Sequence, residues 1–226
     1  MDERYARNVR TLSEQEVESL KDIRVCVVGC GGLGGYIIEM LGRLGVGHIT
    51  AIDGDVFEVT NLNRQILSDE TVLGKSKALT AGERMKKVNS TIEVVPVQAF
   101  ITEDNCDEML SGHNLVMDAL DNIESRRIIE KCCEKHNIPL IHGAISGWYA
   151  QISVVMPGDR TFDRIYPESA SAAAYSLDGN PPFTPALAAS IQVAEAVKLL
   201  FNKGTSLKGK MLFINLLEQS YDIFEL

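Results

Sequence analysis

The segment Ile23–Gly34, IRVCVVGCGGLG, decides the fold of this 226-residue chain. Its first half is a nearly continuous apolar run, which is typical of a buried parallel strand. The second half satisfies the pattern G-x-G-x-x-G with Gly29, Gly31, Gly32 and Gly34. Residues 33–44 then read as a helix. A strand, a glycine turn and a helix in this order aim the N–H groups of the helix N-terminus at a phosphate. The segment therefore predicts a nucleotide-binding α/β unit.

Strand and helix patterns alternate along the rest of the chain. Further strands are predicted at 49–52, 92–97, 115–117, 139–141, 151–156 and 211–217. Further helices are predicted at 75–88, 123–136 and 186–201. This order predicts an α/β fold, a doubly wound Rossmann-like sheet that is mostly parallel, with antiparallel C-terminal strands.

We expect a single domain over residues 1–226. Residues 1–22 form an N-terminal arm and a helix that opens with the capping box of Ser13 and Glu16. Residues from about 159 to 185 are rich in Ser, Ala, Gly and Pro and show no clear period. We expect a mobile crossover segment there, beside the site.

Composition narrows the classes of partner. The formal net charge of −9 disfavours a broad nucleic-acid surface. The charged N-terminus has no apolar core of a signal peptide, and no apolar run approaches the roughly 18 residues of a membrane span. Five cysteines, an odd number, suit a reducing compartment. We therefore expect a cytoplasmic protein that binds neither nucleic acid nor membrane.

Asp53 ends the second predicted strand, about 20 residues after the glycine turn, where a carboxylate can accept hydrogen bonds from ribose hydroxyls. The glycines and Asp53 alone would also suit an NAD-dependent oxidoreductase. Asn61, Arg64 and Lys77 add donors suited to phosphate oxygens. Asp121 closes a later strand and offers hard oxygen for Mg²⁺. These four residues describe a triphosphate–metal site better than a nicotinamide site.

The motifs GCGGLG at 29–34, TNLNRQ at 60–65, GKSKA at 74–78 and DALDN at 118–122 occur in this order. In this order and spacing, the chain resembles the ThiF/MoeB (HesA/MoeB/ThiF) family, the bacterial relatives of ubiquitin-activating enzymes. The resemblance runs from RYAR at 4–7 to EAVKLL at 195–200. It implies a homodimeric adenylyltransferase that uses ATP and Mg²⁺. The substrate would be the C-terminal glycine of a ubiquitin-like sulfur carrier ending in Gly-Gly, such as ThiS or MoaD, with pyrophosphate released.

The resemblance also implies roles for individual residues. Arg64 and Lys77 would stabilise charge on the reacting phosphates, Asp121 would bind Mg²⁺, and Arg7 would reach into the partner subunit's site. The nucleotide would contact Gly29, Gly31, Gly32, Gly34, Asp53, Asp55, Thr60, Asn61, Leu62, Asn63, Arg64, Gln65, Lys77, Asp121 and Asn122. The carboxylate to be activated is already ionised at neutral pH, so no general base is required.

The chain departs from the family in its cysteines. Many members carry two C-x-x-C pairs that hold zinc, and this chain has none. Cys132 and Cys133 are adjacent on a predicted helix and point in different directions, so we expect no zinc. Some relatives carry a cysteine in the crossover segment, where this chain has Tyr175 and Ser176. We therefore expect adenylation to need no cysteine.

Several interpretations stay open at this point. The same ATP site could activate another carboxylate, on a small molecule, a peptide or a tRNA, and the low basicity disfavours tRNA. A non-catalytic interaction module is disfavoured because a scaffold has no need of the ATP-site residues. His142 is interpreted as a structural histidine. Trp148 and Tyr149 line either the channel for the carrier's tail or the core. The sequence identifies neither the carrier, from a thiamine, molybdopterin or tungstopterin pathway, nor the sulfur donor.

Overall fold

A mixed eight-stranded sheet forms the centre of the computed structural model, which describes residues 2–167 and 179–226. In chain order the strands are β1 Arg24–Val28, β2 His48–Ile52, β3 Glu93–Val97, β4 Leu115–Asp118, β5 Leu140–Ser146, β6 Tyr149–Val155, β7 Lys210–Asn215 and β8 Ser220–Glu225. Their spatial order is β3-β2-β1-β4-β5-β6-β7-β8. Strands β3 to β5 pair in parallel, and β5 to β8 pair antiparallel. The predicted fold class is confirmed.

Helices cover both faces of the sheet. They are α1 Glu14–Ser19, α2 Gly32–Leu44, α3 Lys77–Val88, α4 Cys106–Leu110, α5 Ile123–His136, α6 Thr161–Ile165 and α7 Phe183–Phe201. Alternate residues of β1 enter two hydrophobic clusters. Val25 and Val27 pack with α2, α3 and α7, whereas Cys26 and Val28 pack with α4, α5 and α6. Burial on both faces explains the continuous apolar run of this strand.

The predicted crossover segment, about 159–185, contains more structure than its sequence indicated. Helix α6 lies within it, and α7 begins at Phe183, three residues before the predicted start. The predicted start was too late because Pro182 and Pro185 lie there, and proline usually indicates a break in a helix. The first turn of a helix tolerates proline because its N–H groups have no intrahelical acceptor. Tyr175 and Ser176 lie outside the described residues.

Other element boundaries also differ from the prediction. Helix α4 and the edge strand β8 were not predicted, and β4 ends at Asp118, so Asp121 lies in the loop beyond the strand. Helix α4 has only five residues, too few to show a clear helical period. Strand β8 pairs with β7 along its whole length and has mostly exposed side chains.

Among the described residues, one helix is long and apolar enough to cross a membrane by length and composition, which corrects the expectation that no such segment exists. This helix is α7, and it packs against α2, β5 and β6. Gln192 and Glu195 are buried within it, and Glu195 accepts a hydrogen bond from the backbone N–H of Leu207 at 2.9 Å. Because α7 packs on the sheet and has buried polar contacts, we interpret it as a core helix of this fold.

Candidate nucleotide-binding site

The glycine loop packs tightly against the end of β4. Gly29 has a φ of +100°, and a Cβ atom there would lie 2.5 Å from the carbonyl oxygen of Ala119. A Cβ atom on Gly34 would lie 1.8 Å from the carbonyl oxygen of Gly29. Both positions therefore require glycine for close backbone approach. This packing also brings the loop after β4 against the glycine loop.

Gly31 and Gly32 face side chains instead of backbone. A Cβ atom on Gly31 would meet the amide of Gln65 at 3.5 Å, and one on Gly32 would meet Pro185 at 3.6 Å and Arg64 at 3.8 Å. Gly31 is the N-cap of α2 and makes no side-chain cap hydrogen bond. The first-turn N–H groups of α2 therefore need another acceptor, and a phosphate supplies one.

Asp53 joins the glycine loop to the end of β2. Its carboxylate accepts hydrogen bonds from the backbone N–H of Cys30 at 2.7 Å and of Asp55 at 2.8 Å. Burial raises the pKa of Asp53, and these two hydrogen bonds oppose the rise. Each carboxylate oxygen can accept more than one hydrogen bond. The predicted ribose contact is thus compatible with the loop-building contacts seen here.

Lys77 is a buried cation at the first position of α3. Its Nζ atom lies 3.1 Å from Oδ2 of Asp55, and its backbone N–H donates to the Asp55 carbonyl at 3.0 Å. The side chain of Lys77 is only 10% exposed, whereas that of Asp55 is 55% exposed. A phosphate entering beside Asp55 could therefore reach a cation that is already held in place.

Hydrogen bonds from its own polar side chains stabilise the conformation of the segment 59–65. Asn61 is buried, and its Oδ1 accepts from the backbone N–H of Glu58 at 3.0 Å. Arg64 donates to the carbonyl of Thr60 at 3.1 Å and to Oδ1 of Asn63 at 2.9 Å. Asn61 therefore stabilises the loop, a role that the sequence argument did not include.

Gln65 contributes an unpaired acceptor to this region. Its Oε1 is buried, and within residues 2–167 and 179–226 no hydrogen-bond partner reaches it. A buried acceptor without a protein partner is costly, so such atoms often accept a hydrogen bond from a ligand or from water. Its neighbour here is Gly31 of the glycine loop.

Asp121 and Asn122 lie between β4 and α5. Asp121 is exposed, and its Oδ1 lies 3.4 Å from the Nδ2 atom of Asn122. Asn122 is the N-cap of α5 and accepts from the backbone N–H of Ser125 at 2.8 Å. An exposed carboxylate beside the glycine loop fits a hydrated Mg²⁺ ion, which usually keeps several waters. Asn122 has a structural role as a helix cap whether or not it touches nucleotide.

Beneath the Asp121 loop lies a buried polar network that sequence reasoning missed. Oδ2 of Asp118 lies 2.6 Å from Nδ1 of His142 and 3.2 Å from Nε of Arg126. Its Oδ1 accepts from the backbone N–H of Leu120 at 2.9 Å, and Arg126 donates to the Leu120 carbonyl. The network thus fixes the backbone immediately before Asp121. The sequence did contain one indication of this network, which is the carboxylate of Asp118 at the end of an otherwise apolar strand.

His142 belongs to this network and not to the exposed site. It is fully buried, its Nε2 lies 3.1 Å from the hydroxyl of Tyr166, and Gln151 approaches at 3.2 Å. Burial lowers the pKa of His142, although the Asp118 carboxylate opposes the shift. These contacts agree with its interpretation as a structural histidine.

The structure does not bring Arg7 to the glycine loop of its own chain. Arg7 is exposed, and its neighbour Asn8 donates to the carbonyl of Leu44 at 3.4 Å. Tyr5 lies against Gly45, just beyond the same helix. Arg7 is therefore at the C-terminal end of α2, whereas the glycine loop is at its N-terminal end.

A groove of about 550 Å³ adjoins the segment 59–65. Asn63, Trp148, Tyr149 and Asn180 are among its lining residues, and Asn63 donates to the carbonyl of Asn180 at 3.0 Å. The ring of Trp148 is 44% exposed and lies 4.7 Å from that of Phe183. Trp148 and Tyr149 therefore line a groove, and a place in the core is excluded for the exposed Trp148.

Five buried cysteines are free thiols. Burial raises the pKa values of Cys26, Cys30 and Cys133, which makes these thiols poor nucleophiles. Cys30 is the one cysteine in the glycine loop, and its buried sulfur lies 3.8 Å from the carbonyl oxygen of Ile52. Its packing agrees with the interpretation as a turn filler.

Known proteins resemble this chain over nearly its whole length. It is 32% identical over 226 residues to the SAMP-activating enzyme E1 of Haloferax volcanii, covering 97% of this chain and 83% of that protein. It is 33% identical over 215 residues to the molybdopterin-synthase adenylyltransferase of Salmonella typhimurium, covering 92% and 86%. The crystal structure of Escherichia coli MccB with AMPCPP and MccA has a TM-score of 0.84 and 23% identity, covering 98% of this chain and 71% of MccB. The ThiF family profile matches residues 5–226, and the chain belongs to the ThiF family.

Proposed function

We propose that this protein is an ATP-dependent adenylyltransferase that activates the C-terminal glycine carboxylate of a ubiquitin-like sulfur-carrier protein. The observation that carries the proposal is the convergence of four sequence-distant segments at one sheet edge. The uncapped N-terminus of α2, the Arg64–Gln65 pair, Lys77 and the Asp121 loop all lie at the carboxyl ends of β1, β2 and β4. Ligands of doubly wound sheets bind at this edge.

The relatives support adenylyl transfer as the chemistry. The Salmonella protein is named as an adenylyltransferase, and the Haloferax protein as an activating enzyme. MccB shares the fold and was crystallised with AMPCPP. ATP is therefore the nucleotide that we assign to the glycine loop, with its phosphates at the N-terminus of α2.

The proposed reaction needs alignment and charge stabilisation more than covalent catalysis. The carrier carboxylate attacks the α-phosphorus, a new acyl–oxygen–phosphorus bond forms, and pyrophosphate leaves. Arg64 and Lys77 would stabilise the negative charge on the phosphates, and Gln65 would donate or accept beside the glycine loop. Asp121 would hold Mg²⁺, which shields phosphate charge when it is bound.

The groove beside Asn63 is the proposed path for the carrier's tail. Its lining includes Gly147, Trp148, Tyr149 and Asn180. A Gly-Gly tail has no side chains, so it requires no side-chain pockets along this groove. Pro185, in the first turn of α7, lies beside Gly32 of the glycine loop.

A second candidate is activation of a different carboxylate by the same site. MccB, which shares the fold, was crystallised with MccA, and neither name mentions a sulfur carrier. The chain spans 83% and 86% of the two relatives named above but 71% of MccB. Identity and coverage therefore favour the carrier-activating relatives. The formal net charge of −9 disfavours a tRNA substrate.

ATP–pyrophosphate exchange with purified carriers ending in Gly-Gly tests the proposal. We expect exchange that depends on the carrier and is lost when the terminal glycine is removed. Asp121→Ala should abolish exchange, whereas Glu124→Ala, which removes an exposed acid from the first turn of α5, should retain it. Carrier-independent exchange, or full activity of Asp121→Ala, would refute the assignment.

A further inference from the structure

Helices α4 and α5 bring together a group of metal-ligand side chains on the face of the sheet that α6 also covers. Atoms of Cys106, Asp107 and Cys132 lie within 4.8 Å of one another. Cys132 Sγ lies 3.7 Å from Oδ1 of Asp107, and Nε2 of His136 lies 2.8 Å from the same oxygen. From this geometry we propose that Cys106, Asp107 and Cys132 bind a zinc ion. The ring of His136 contacts Asp107 but lies outside this 4.8 Å group, so it becomes the fourth ligand only after a side-chain rotation.

The ligand spacing follows from helix geometry. Cys132 and His136 are four residues apart on α5, so they lie on the same face of that helix. Cys106 and Asp107 are consecutive at the start of α4, which packs against α5. The packing of α4 against α5 thus brings together metal-ligand side chains that form no C-x-x-C pattern in the sequence. It changes the expectation of no zinc, which rested on cysteine spacing in the sequence.

The distance between Cys132 and Asp107 suits a tetrahedral ion. With zinc–sulfur bonds near 2.3 Å and zinc–oxygen bonds near 2.0 Å, the edges of the tetrahedron are about 3.5 Å for S···O and about 3.8 Å for S···S. The observed 3.7 Å between Cys132 Sγ and Asp107 Oδ1 matches the first edge. The limit of 4.8 Å for all three residues requires shifts of about 1 Å or less for the second.

The two oxygens of Asp107 face different partners. Oδ1 faces Cys132 and His136, whereas Oδ2 forms an ion pair with Lys135. Lys135 can therefore hold the carboxylate while Oδ1 binds the metal, an arrangement typical of residues that orient metal ligands. The cysteines are buried, and Asp107 is 45% exposed, which gives an ion a path from the surface.

Thiolate, imidazole and carboxylate ligands in a four-coordinate site favour Zn²⁺ over Mg²⁺ or Ca²⁺. Binding would replace the two thiol protons, which pass to solvent. Helix α4 leads into β4, and the end of α5 leads into β5, so the site lies at the amino ends of these strands. The nucleotide site lies at the carboxyl ends. We therefore assign the ion a structural role, independent of the proposed adenylyl transfer.

The test uses the full chain, purified in reductant and without chelators. We expect about one zinc per chain by elemental analysis. After zinc removal, titration with cobalt chloride should produce the thiolate-to-cobalt charge-transfer absorption and the strong visible bands of tetrahedral Co²⁺. Zinc chloride should displace that signal and raise the melting temperature. A folded, reduced protein without zinc and without a cobalt–thiolate signal would overturn the proposal.

Variants assign the ligands. Cys106→Ser and Cys132→Ser should each weaken the charge-transfer band, because one thiolate ligand remains, and the double variant should abolish it. Cys133→Ser is the matched control because it removes an adjacent buried thiol. An unchanged band in either single variant, or any band in the double variant, would refute the site. If those variants do not fold, Asp107→Asn provides the test, because Asp107 is partly exposed and its substitution disturbs the core less. It should weaken Co²⁺ binding roughly tenfold or more, and unchanged affinity would refute the site.

Discussion

Replacing Asp118 with asparagine tests the buried network beneath the Asp121 loop. The Asp118 carboxylate is fully buried between Arg126, His142 and the backbone N–H of Leu120. Asparagine has the same shape but no charge. Its NH₂ group must point either at Arg126 and His142 or at Leu120, so a donor faces a donor in both orientations. The substitution leaves the Arg126 guanidinium buried without its counter-charge.

Removing one partner of a buried ion pair costs about 3 to 5 kcal/mol. For a domain of this length, each kcal/mol lowers the melting temperature by about 2 to 4 °C. We therefore expect Asp118→Asn to lower it by about 6 to 20 °C. Thermal unfolding followed by calorimetry and circular dichroism measures the change. Hydrogen exchange of the Leu120 amide should also become faster, because its acceptor is weakened.

The adjacent arginine on α5 provides the control. Arg127 lies 2.6 Å from Asp163, whose side chain is 57% exposed. Exposed ion pairs contribute about 0 to 1 kcal/mol, so Asp163→Asn should lower the melting temperature by at most about 4 °C. Equal shifts for Asp118→Asn and Asp163→Asn would show that burial does not set the cost. That result would remove the network from the explanation of the Asp121 loop.

The nucleotide, Arg7 and His142 each provide a further test. ATP with Mg²⁺ should raise the melting temperature more than NAD does, and equal or greater stabilisation by NAD would exclude the triphosphate assignment. Mixing Arg7→Ala with Asp121→Ala should restore roughly a quarter of wild-type sites if subunits exchange at random and Arg7 acts in its partner's site. No recovery despite proven exchange would refute that role. Because the folded-state pKa of His142 is below 6.5, its contribution to stability is complete above pH 6.5 and is lost as pH falls through the folded-state value. His142→Gln should therefore flatten the dependence of unfolding free energy on pH below 6.5, and an unchanged slope would contradict the assignment.

Local patterns explain which parts of the fold were predictable. The segment Ile23–Gly34 predicts β1, the glycine loop and the start of α2. Buried strands and glycine turns are recognisable because each produces a pattern in consecutive residues. The same holds for Asp53, whose position at a strand end fixes its place near the glycine loop. By contrast, α7 begins between two prolines, and the short helix α4 has too few turns to show a period.

Hydrophobic periodicity in the sequence does not predict polar contacts between residues that are distant along the chain. Asp118, Arg126 and His142 come from β4, α5 and β5, and only the sheet order places β4 beside β5. The Cys106–Cys132 pair likewise depends on how α4 packs against α5. A charged residue in an apolar strand can be seen in the sequence, but its partners are set by the tertiary fold. The residues proposed to face the ligand therefore lie in sequence motifs, whereas the residues that hold them in place do not.

Helix α2 connects the site to the question of assembly. It has 13 residues and so extends about 20 Å from the glycine loop to the arm that carries Arg7. Arg7 therefore has either no part in catalysis or a part in the site of another chain. In a twofold dimer the contact is reciprocal, because each subunit offers the same surface to the other. If one Arg7 completes its partner's site, the other completes the first, so dissociation would leave both sites without their second arginine. Carrier-dependent exchange should then fall on dilution through the dimer dissociation constant, whereas a site complete within one chain would keep constant specific activity.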